Sequence, residues 1–490
     1  MSETKGITKP PFRTDNHTEV DVVVLGVGTC GEDLSLRLLD AGLEVVGIES
    51  ALVGGECPYW ACLPSKMMIR AASLLQESRR ASRMAGKVDV NPDWSLVSAR
   101  VRAEATGGWD DSTAVSRYAS RGGQLIKGYG KLTGPRTVSV GDESFTARRG
   151  IVIATGSKPA IPPIPGLHEI DYWTTHDVIQ LENLPKSMIV LGGGAVGCEL
   201  GQTLARFGVE VTIVEAGDRI LPAEEPEVAG VVETAFAAEG IQLHTGAAVQ
   251  QVASRNGSIV VSLAGDLELE SERLLVATGR RVELGGLGLE SAGLDHKARF
   301  IKVDKRMRAA AGIWAMGDVT GKAMFTHVAL YQSAIVAADI LGEDQPPARY
   351  DAVPRVTFTD PEVGSVGMTE SAAVAAGLDV VPVLKQLPAT FRGWLHAVDG
   401  GIIKLIVDRR EGVLVGATVA GPGGGEMLGL LTLAIHSRIS LADLRSMIYA
   451  FPTFYGGIGE ALGAYGRGLV TVLDPAYRGI ESLDAVSILD

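Results

Sequence analysis

The chain has 490 residues, 46% hydrophobic and 21% charged, a balance that excludes intrinsic disorder and low-complexity fibres. With 45 basic and 58 acidic residues the net charge is −13, which argues against a nucleic-acid surface because phosphate binding needs a basic face. Glycine is abundant at 61 residues, while cysteine is limited to Cys30, Cys57, Cys62 and Cys198, too few for the disulfide framework of a secreted protein.

The first eighteen residues are polar and lack the charged-then-apolar pattern of a signal peptide. No apolar run approaches the ~20 residues of a membrane span. The expectation is a cytoplasmic protein of roughly three domains, at about 150 residues each.

Val22-Val-Val-Leu25 reads as a strand, and Gly26-Val-Gly28-Thr-Cys-Gly31 as a tight turn. A helix with Leu34, Leu38 and Leu39 on one face follows, Gly42 stops it, and a second strand ends at Glu49. The unit recurs later. Met188–Leu191 leads into Gly192-Gly-Gly194-Ala-Val-Gly197, a helix through Leu200, Leu204 and Phe207, a stop at Gly208, and a strand ending at Glu215. Gly26, Gly28, Gly31, Gly42 and Glu49 match Gly192, Gly194, Gly197, Gly208 and Glu215 at one constant shift of 166. Two copies in register mark two dinucleotide-binding units. The first glycine permits the turn, the second leaves room for pyrophosphate, and the third lets helix and strand pack closely. The helix N-terminus supplies free N–H groups, and the terminal acid can bind ribose hydroxyls.

Ile151-Val-Ile-Ala-Thr155-Gly156 and Leu274-Leu-Val-Ala-Thr-Gly279 are apolar strands with the same Ala-Thr-Gly ending. Gly312-Ile-Trp-Ala-Met-Gly317-Asp318 ends in Gly-Asp, where a carboxylate could reach polyol hydroxyls of a cofactor.

Between the repeats lies Gly54-Gly55-Glu-Cys57-Pro-Tyr-Trp-Ala-Cys62-Leu-Pro-Ser-Lys66. In an ideal helix residues five apart point about 140° from one another, so a bond between Cys57 and Cys62 requires a distorted segment, which Pro58 and Pro64 favour. A buried structural pair and a catalytic pair both remain open. Metal binding is disfavoured, because no further Cys or His stands at ligand spacing.

Over about residues 20–470 the chain resembles the class I flavin-dependent pyridine nucleotide–disulfide oxidoreductases, the family of dihydrolipoamide dehydrogenase, glutathione reductase and mercuric reductase. The resemblance rests on the order of motifs: first glycine repeat, Cys-x4-Cys-x-Pro-Ser-Lys, Ala-Thr-Gly, second glycine repeat, Ala-Thr-Gly-Arg280, Gly-Asp and a C-terminal domain. It implies an α/β fold with two Rossmann-like domains, for FAD and NAD(P), and a C-terminal α+β dimerisation domain. The expected layout is a flexible tail over 1–19, a split FAD-binding domain over 20–165 and 288–347, an NAD(P)-binding domain over 166–287, an interface domain over 348–470 and a tail over 471–490. The assembly would be a homodimer.

The resemblance further implies that Gly26, Gly28, Gly31, Glu49, Gly55, Gly130, Thr155, Gly156, Gly317 and Asp318 hold FAD. Gly192, Gly194, Gly197, Glu215, Gly279 and Arg280 would serve the nicotinamide side. Lys66 would lie near the isoalloxazine and pair with Glu199, and His327 would lie beside the flavin. Hydride would pass from NAD(P)H to flavin, and electrons from flavin to a Cys57–Cys62 disulfide, with Cys62 next to the flavin and Cys57 as the interchange thiol. Glu215 favours NADH, since a carboxylate repels the 2′-phosphate of NADPH; Arg219 nearby keeps NADPH admissible.

One departure bears on the acceptor. The family's His-Pro-Thr-x-x-Glu reads here as Phe451-Pro-Thr-Phe-Tyr-Gly456, so the usual proton donor and its orienting glutamate are absent. Tyr455 and Glu460 are the nearby candidates. The expectation is a small-molecule electron acceptor that needs no acid, such as a quinone, with Tyr59 and Trp60 available to stack it. Two alternatives stand beside it: a disulfide reductase using Tyr455 or water as proton donor, and a flavin-binding redox-sensing interaction module.

Overall fold

Val22, Val23, Val24 and Leu25 are buried on both faces, as strands covered on both sides must be. The computed structural model describes residues 17–467, so most of the N-terminal tail expected over 1–19 and all of the tail over 471–490 lie outside the described residues. The chain forms two compact units. The first takes the chain up to Pro163 with Tyr172–Leu184 and Leu275–Tyr350; the second takes Ile164–Asp171, Pro185–Leu274 and the chain from Asp351 onward.

In the first unit an eight-stranded sheet carries Glu143–Ile153, His17–Leu25, Val45–Glu49 and Gln124–Lys127 side by side. These neighbours run parallel, with Val22–Leu25 opposite Val45–Ile48 on one side and Gly150–Ile153 on the other. Ile313–Ala315 adds a further parallel strand beside Ile151–Ile153. The helix Thr29–Asp40 buries Leu34, Leu38 and Leu39, the stripe expected from their spacing, and Gly42 turns the chain at φ +82°.

The second unit repeats the theme. Ser187–Leu191 runs parallel to Glu210–Val214, and that strand to Gln242–His244. Arg273–Val276 completes the four-stranded sheet. The helix Ala195–Arg206 follows the glycine turn. The same unit holds a five-stranded antiparallel sheet in the order Pro354–Thr357, Glu362–Gly367, Val413–Gly421, Ile402–Asp408, Val380–Gln386. Every residue of Ile402–Asp408 is buried. One of them is Lys404, whose ammonium meets Glu225, Glu227 and Glu370 at 2.8–3.0 Å. Ser440 caps the helix Leu441–Ser446 by accepting the Asp443 N–H. No described helix is long and apolar enough to cross a membrane.

Candidate active site

The repeat seen in the sequence extends to individual hydrogen bonds. Glu49 accepts the N–H of Val27 at 2.7 Å and of Ala51 at 2.8 Å. Glu215 accepts the N–H of Gly193 and of Gly217, each at 2.7 Å. Val27 and Ala51 stand 166 residues before Gly193 and Gly217, so each carboxylate closes its glycine turn in the same way. A carboxylate has about four acceptor sites, which leaves capacity for ribose hydroxyls.

The glycines divide by role. Gly26 takes φ +89° and Gly192 φ +109°, the left-handed region. A Cβ at Gly31 would sit 2.0 Å from the Gly26 carbonyl oxygen, and one at Gly197 2.0 Å from that of Gly192. The middle glycines differ: a Cβ at Gly28 would meet only the Gly55 Cα, at 3.8 Å, and one at Gly194 would meet nothing within 4 Å. Gly28 and Gly194 are also the N-caps of their helices, and neither has a capping side chain. Unclaimed helix N–H groups beside open space are what a pyrophosphate needs. Both turns therefore fit a dinucleotide.

Parallel register places the other expected flavin residues together. Gly26–Gly31, Glu49, Gly130, Thr155, Gly156, Gly317 and Asp318 all lie at or just beyond the carboxyl ends of the parallel strands of one sheet, the edge where open α/β sheets bind ligands. Gly55 packs on Gly28 so closely that a Cβ there would come within 2.7 Å of its Cα. Asp318 accepts the Ser157 hydroxyl at 2.5 Å. The two Ala-Thr-Gly ends are tied together: Ala160 N–H donates to the Gly279 carbonyl at 2.9 Å, and the Thr278 hydroxyl to the Ala160 carbonyl at 2.8 Å.

The cysteine segment is distorted, as a bond between Cys57 and Cys62 would require, although both are free thiols in this structure. Cys57 lies in a short helix, Glu56–Tyr59, and Cys62 opens a second, Cys62–Arg80. Between them Trp60 and Ala61 leave helical geometry, Ala61 at φ −138°, ψ −95°. Both cysteines are half-buried. Their thiols are unequal. A hydrogen bond from Cys57 brings Cys62 down to about 6 against its burial, helped by Thr326 and by the charge of Lys66, one helical turn on. The same bond to Cys62, with burial, holds the Cys57 thiol well above its usual value. Both directions favour charge on Cys62 and a proton on Cys57. Burial pushes Cys30 up to about 12 and also raises Cys198, as suits packing residues.

Sequence reasoning missed several partners. Thr326 Oγ1 lies 3.4 Å from Cys62 Sγ. The neighbouring His327, assigned to the flavin side, is exposed and stacks on Phe325 with ring centroids 5.3 Å apart. Glu56 is hydrogen bonded to His176 Nε2 at 3.0 Å and ion-paired to Arg280 at 3.2 Å. Arg280 in turn donates to the Ser157 hydroxyl at 2.7 Å. Trp60 stacks on His176 at 4.4 Å and on Trp109 at 5.7 Å, while Tyr59 is buried. The two aromatics expected to stack an acceptor are engaged within the subunit.

In the second unit, Glu199 is buried and accepts the Phe358 N–H at 2.8 Å. Tyr455 fixes its own loop, its hydroxyl accepting the Ala450 N–H at 2.9 Å, and Glu460 pairs with Lys385 at 3.3 Å. Phe451, in the place of the family histidine, is 72% exposed and meets the Phe391 ring edge-on.

Comparison with known proteins finds one family over most of the chain. The pyridine nucleotide-disulphide oxidoreductase model matches residues 20–333, and the dimerisation domain of the same family matches residues 353–462. The dihydrolipoyl dehydrogenase of Chlorobaculum tepidum is 33% identical over 455 residues, covering 90% of this chain and 96% of that protein. The mercuric reductase of Staphylococcus aureus is 30% identical, covering 90% and 81%. Among solved structures, the Cu(II) complex of the HOCl-induced flavoprotein disulfide reductase RclA of Escherichia coli superposes with a TM-score of 0.81 at 27% identity, covering 91% and 99%. LpdA of Mycobacterium tuberculosis gives 0.80 at 27% identity, covering 91% and 100%.

Proposed function

Because the chain belongs to the pyridine nucleotide-disulphide oxidoreductase family, we propose that it is an FAD-dependent NAD(P)H oxidoreductase whose electrons leave through the Cys57–Cys62 pair. Bound on the first glycine turn, FAD would supply two-electron transfer between the nicotinamide and the cysteines. The chain's own residues do the rest. Glu49 and the helix Thr29–Asp40 hold one dinucleotide, and Glu215 and the helix Ala195–Arg206 the other. With both oxygens fixed by backbone N–H groups, Glu215 presents negative charge to the ribose, which supports NADH over NADPH.

The observation that carries the reading is the inequality of the two thiols. The hydrogen bond from Cys57, then Thr326 3.4 Å away and the charge of Lys66, favour charge on Cys62, while the same bond favours the proton on Cys57. A dithiol of this kind exchanges through Cys57 and keeps the Cys62 thiolate inside. The dimerisation domain supports a homodimer.

The acceptor follows from what stands at position 451. Phenylalanine offers no proton, which favours an acceptor such as a quinone that needs no acid–base partner. A second reading, disulfide reduction, is favoured by Cys57 being held as a thiol. One experiment separates them: the Cys57→Ser variant is mixed with NADH and a panel of quinones, disulfides and metal ions, Cu(II) included because a structural relative was solved with it. The wild type on the same panel shows which acceptor turns over; that turnover should vanish in Cys57→Ser, and quinone turnover that survives there would mean direct transfer from the flavin and would overturn exit through the pair.

A further inference from the structure

An imidazole sits on the loop that joins the two cysteines. His176 Nε2 lies 3.0 and 3.3 Å from the two oxygens of Glu56, the residue immediately before Cys57. Its ring stacks on Trp60, between Cys57 and Cys62, with centroids 4.4 Å apart and planes 16° from parallel. Burial pushes Glu56 up, but the hydrogen bond from His176 and the charge of Arg280 outweigh it and hold the carboxyl below its usual range. An ionised carboxylate only accepts hydrogen bonds, so Nε2 donates to it and Nδ1 is the nitrogen that faces away from this bond. This is the arrangement of a base oriented by an acid, and that acid, Glu56, immediately precedes the thiol that must lose its proton to react.

The chemistry has a vacancy for it, since Phe451 removes the usual proton carrier. We propose that His176 is the general base and acid for Cys57 in the reduction of a disulfide substrate, with Glu56 as its positioning residue. The proposal rests on the second reading above, disulfide reduction through the dithiol. Nδ1 takes the Cys57 proton; the Cys57 thiolate attacks one sulfur of the substrate; the substrate S–S bond breaks, and the leaving thiolate takes the proton back from the imidazolium. The Cys62 thiolate then attacks Cys57, forming the Cys57–Cys62 bond and releasing the second product as a thiolate that solvent protonates. The dithiol loses two electrons and the substrate gains them. The charged groups around the ring are Glu56, Arg280 behind it, Asp177 on the same short helix, where it holds Thr174, and Arg102 over the far ring of the stack, Trp109.

The test follows alkylation of Cys57 by iodoacetamide against pH, in the flavin-loaded protein reduced with dithiothreitol, with the labelled cysteine identified by peptide mapping. His176→Gln should lower the rate at pH 7 by about tenfold or more and move the profile to higher pH, in line with the ~10²–10⁴-fold worth of general acid–base help. His176→Phe keeps a ring over Trp60 and removes both nitrogens, so it should lose as much. Glu56→Gln should lose less and move the profile the same way. Retained flavin content and melting temperature qualify each variant. A wild-type profile in His176→Phe would mean packing alone and would overturn the proposal; so would a wild-type profile in Glu56→Gln and His176→Gln together. Failure of the dithiol reading would show separately, as a wild-type protein whose Cys57 is labelled after dithiothreitol but not after NADH.

Discussion

Cys62 Sγ and Thr326 Oγ1 lie 3.4 Å apart across 264 residues of sequence. The hydroxyl stands at the start of the helix Thr326–Leu341, in the same unit as the cysteine, and adds to the forces that favour a thiolate.

Removing that hydroxyl should make Cys62 harder to ionise. A hydrogen bond to a charged group is worth about 1.5–3 kcal/mol, and one pKa unit is about 1.4 kcal/mol. Thr326→Val should raise the Cys62 midpoint from about 6 by about one unit or more. Thiolate absorbance of the reduced protein, read against pH, checks this; an unmoved midpoint would show that Cys57 and Lys66 suffice.

The glycine turns should respond according to position. Gly197→Ala drives a Cβ to within 2.0 Å of the Gly192 carbonyl oxygen and should cost more than about 2 kcal/mol of stability. Gly194→Ala meets no protein atom within 4 Å, so it should melt near the wild-type temperature yet raise the KM for the nicotinamide nucleotide by tenfold or more. Equal melting temperatures for the two variants would contradict the geometry.

Glu215 should set cofactor choice. kcat/KM for NADH should exceed that for NADPH, and Glu215→Gln should narrow the gap by weakening repulsion of the 2′-phosphate. Faster turnover with NADPH in the wild type would transfer the deciding role to Arg219, whose guanidinium lies 3.3 Å from Asp218.

The turns were readable because a dinucleotide site is local. Each needs three glycines, a helix start and a strand-end acid within about 25 residues, and the shift of 166 reproduces even the bonds from Val27 and Gly193. The break between Cys57 and Cys62 was legible only on the condition of a bond between them, since residues five apart on an unbroken helix point away from one another. His176 and Thr326 were not legible. They reach the cysteine segment from 120 and 264 residues away, through sheet and helix packing, and no short pattern announces such a meeting. Trp60 misled in the same way: its aromatic character was plain, but the rings that occupy it come from elsewhere in the chain.

Lys404 offers a stability test outside the redox site. Burial alone would lower its pKa, but Glu370, Glu227 and Glu225 outweigh it and raise the pKa above the ordinary value. A raised pKa means stability that is full below the unfolded value of about 10.4 and is lost as pH climbs through the folded value. Lys404→Met should cost about 3–5 kcal/mol at pH 7 by stranding the carboxylates, measured by denaturant unfolding.

The central claim is that electrons pass through the Cys57–Cys62 pair, with charge held on Cys62. Anaerobic titration of the flavin-loaded protein with NADH tests it most directly. The account predicts a long-wavelength thiolate–flavin band that grows on NADH addition in the wild type, is present in Cys57→Ser before any NADH and is lost as its flavin is reduced, and is absent throughout in Cys62→Ser. Bleaching without such a band in the wild type, identical to that of Cys62→Ser, would contradict it.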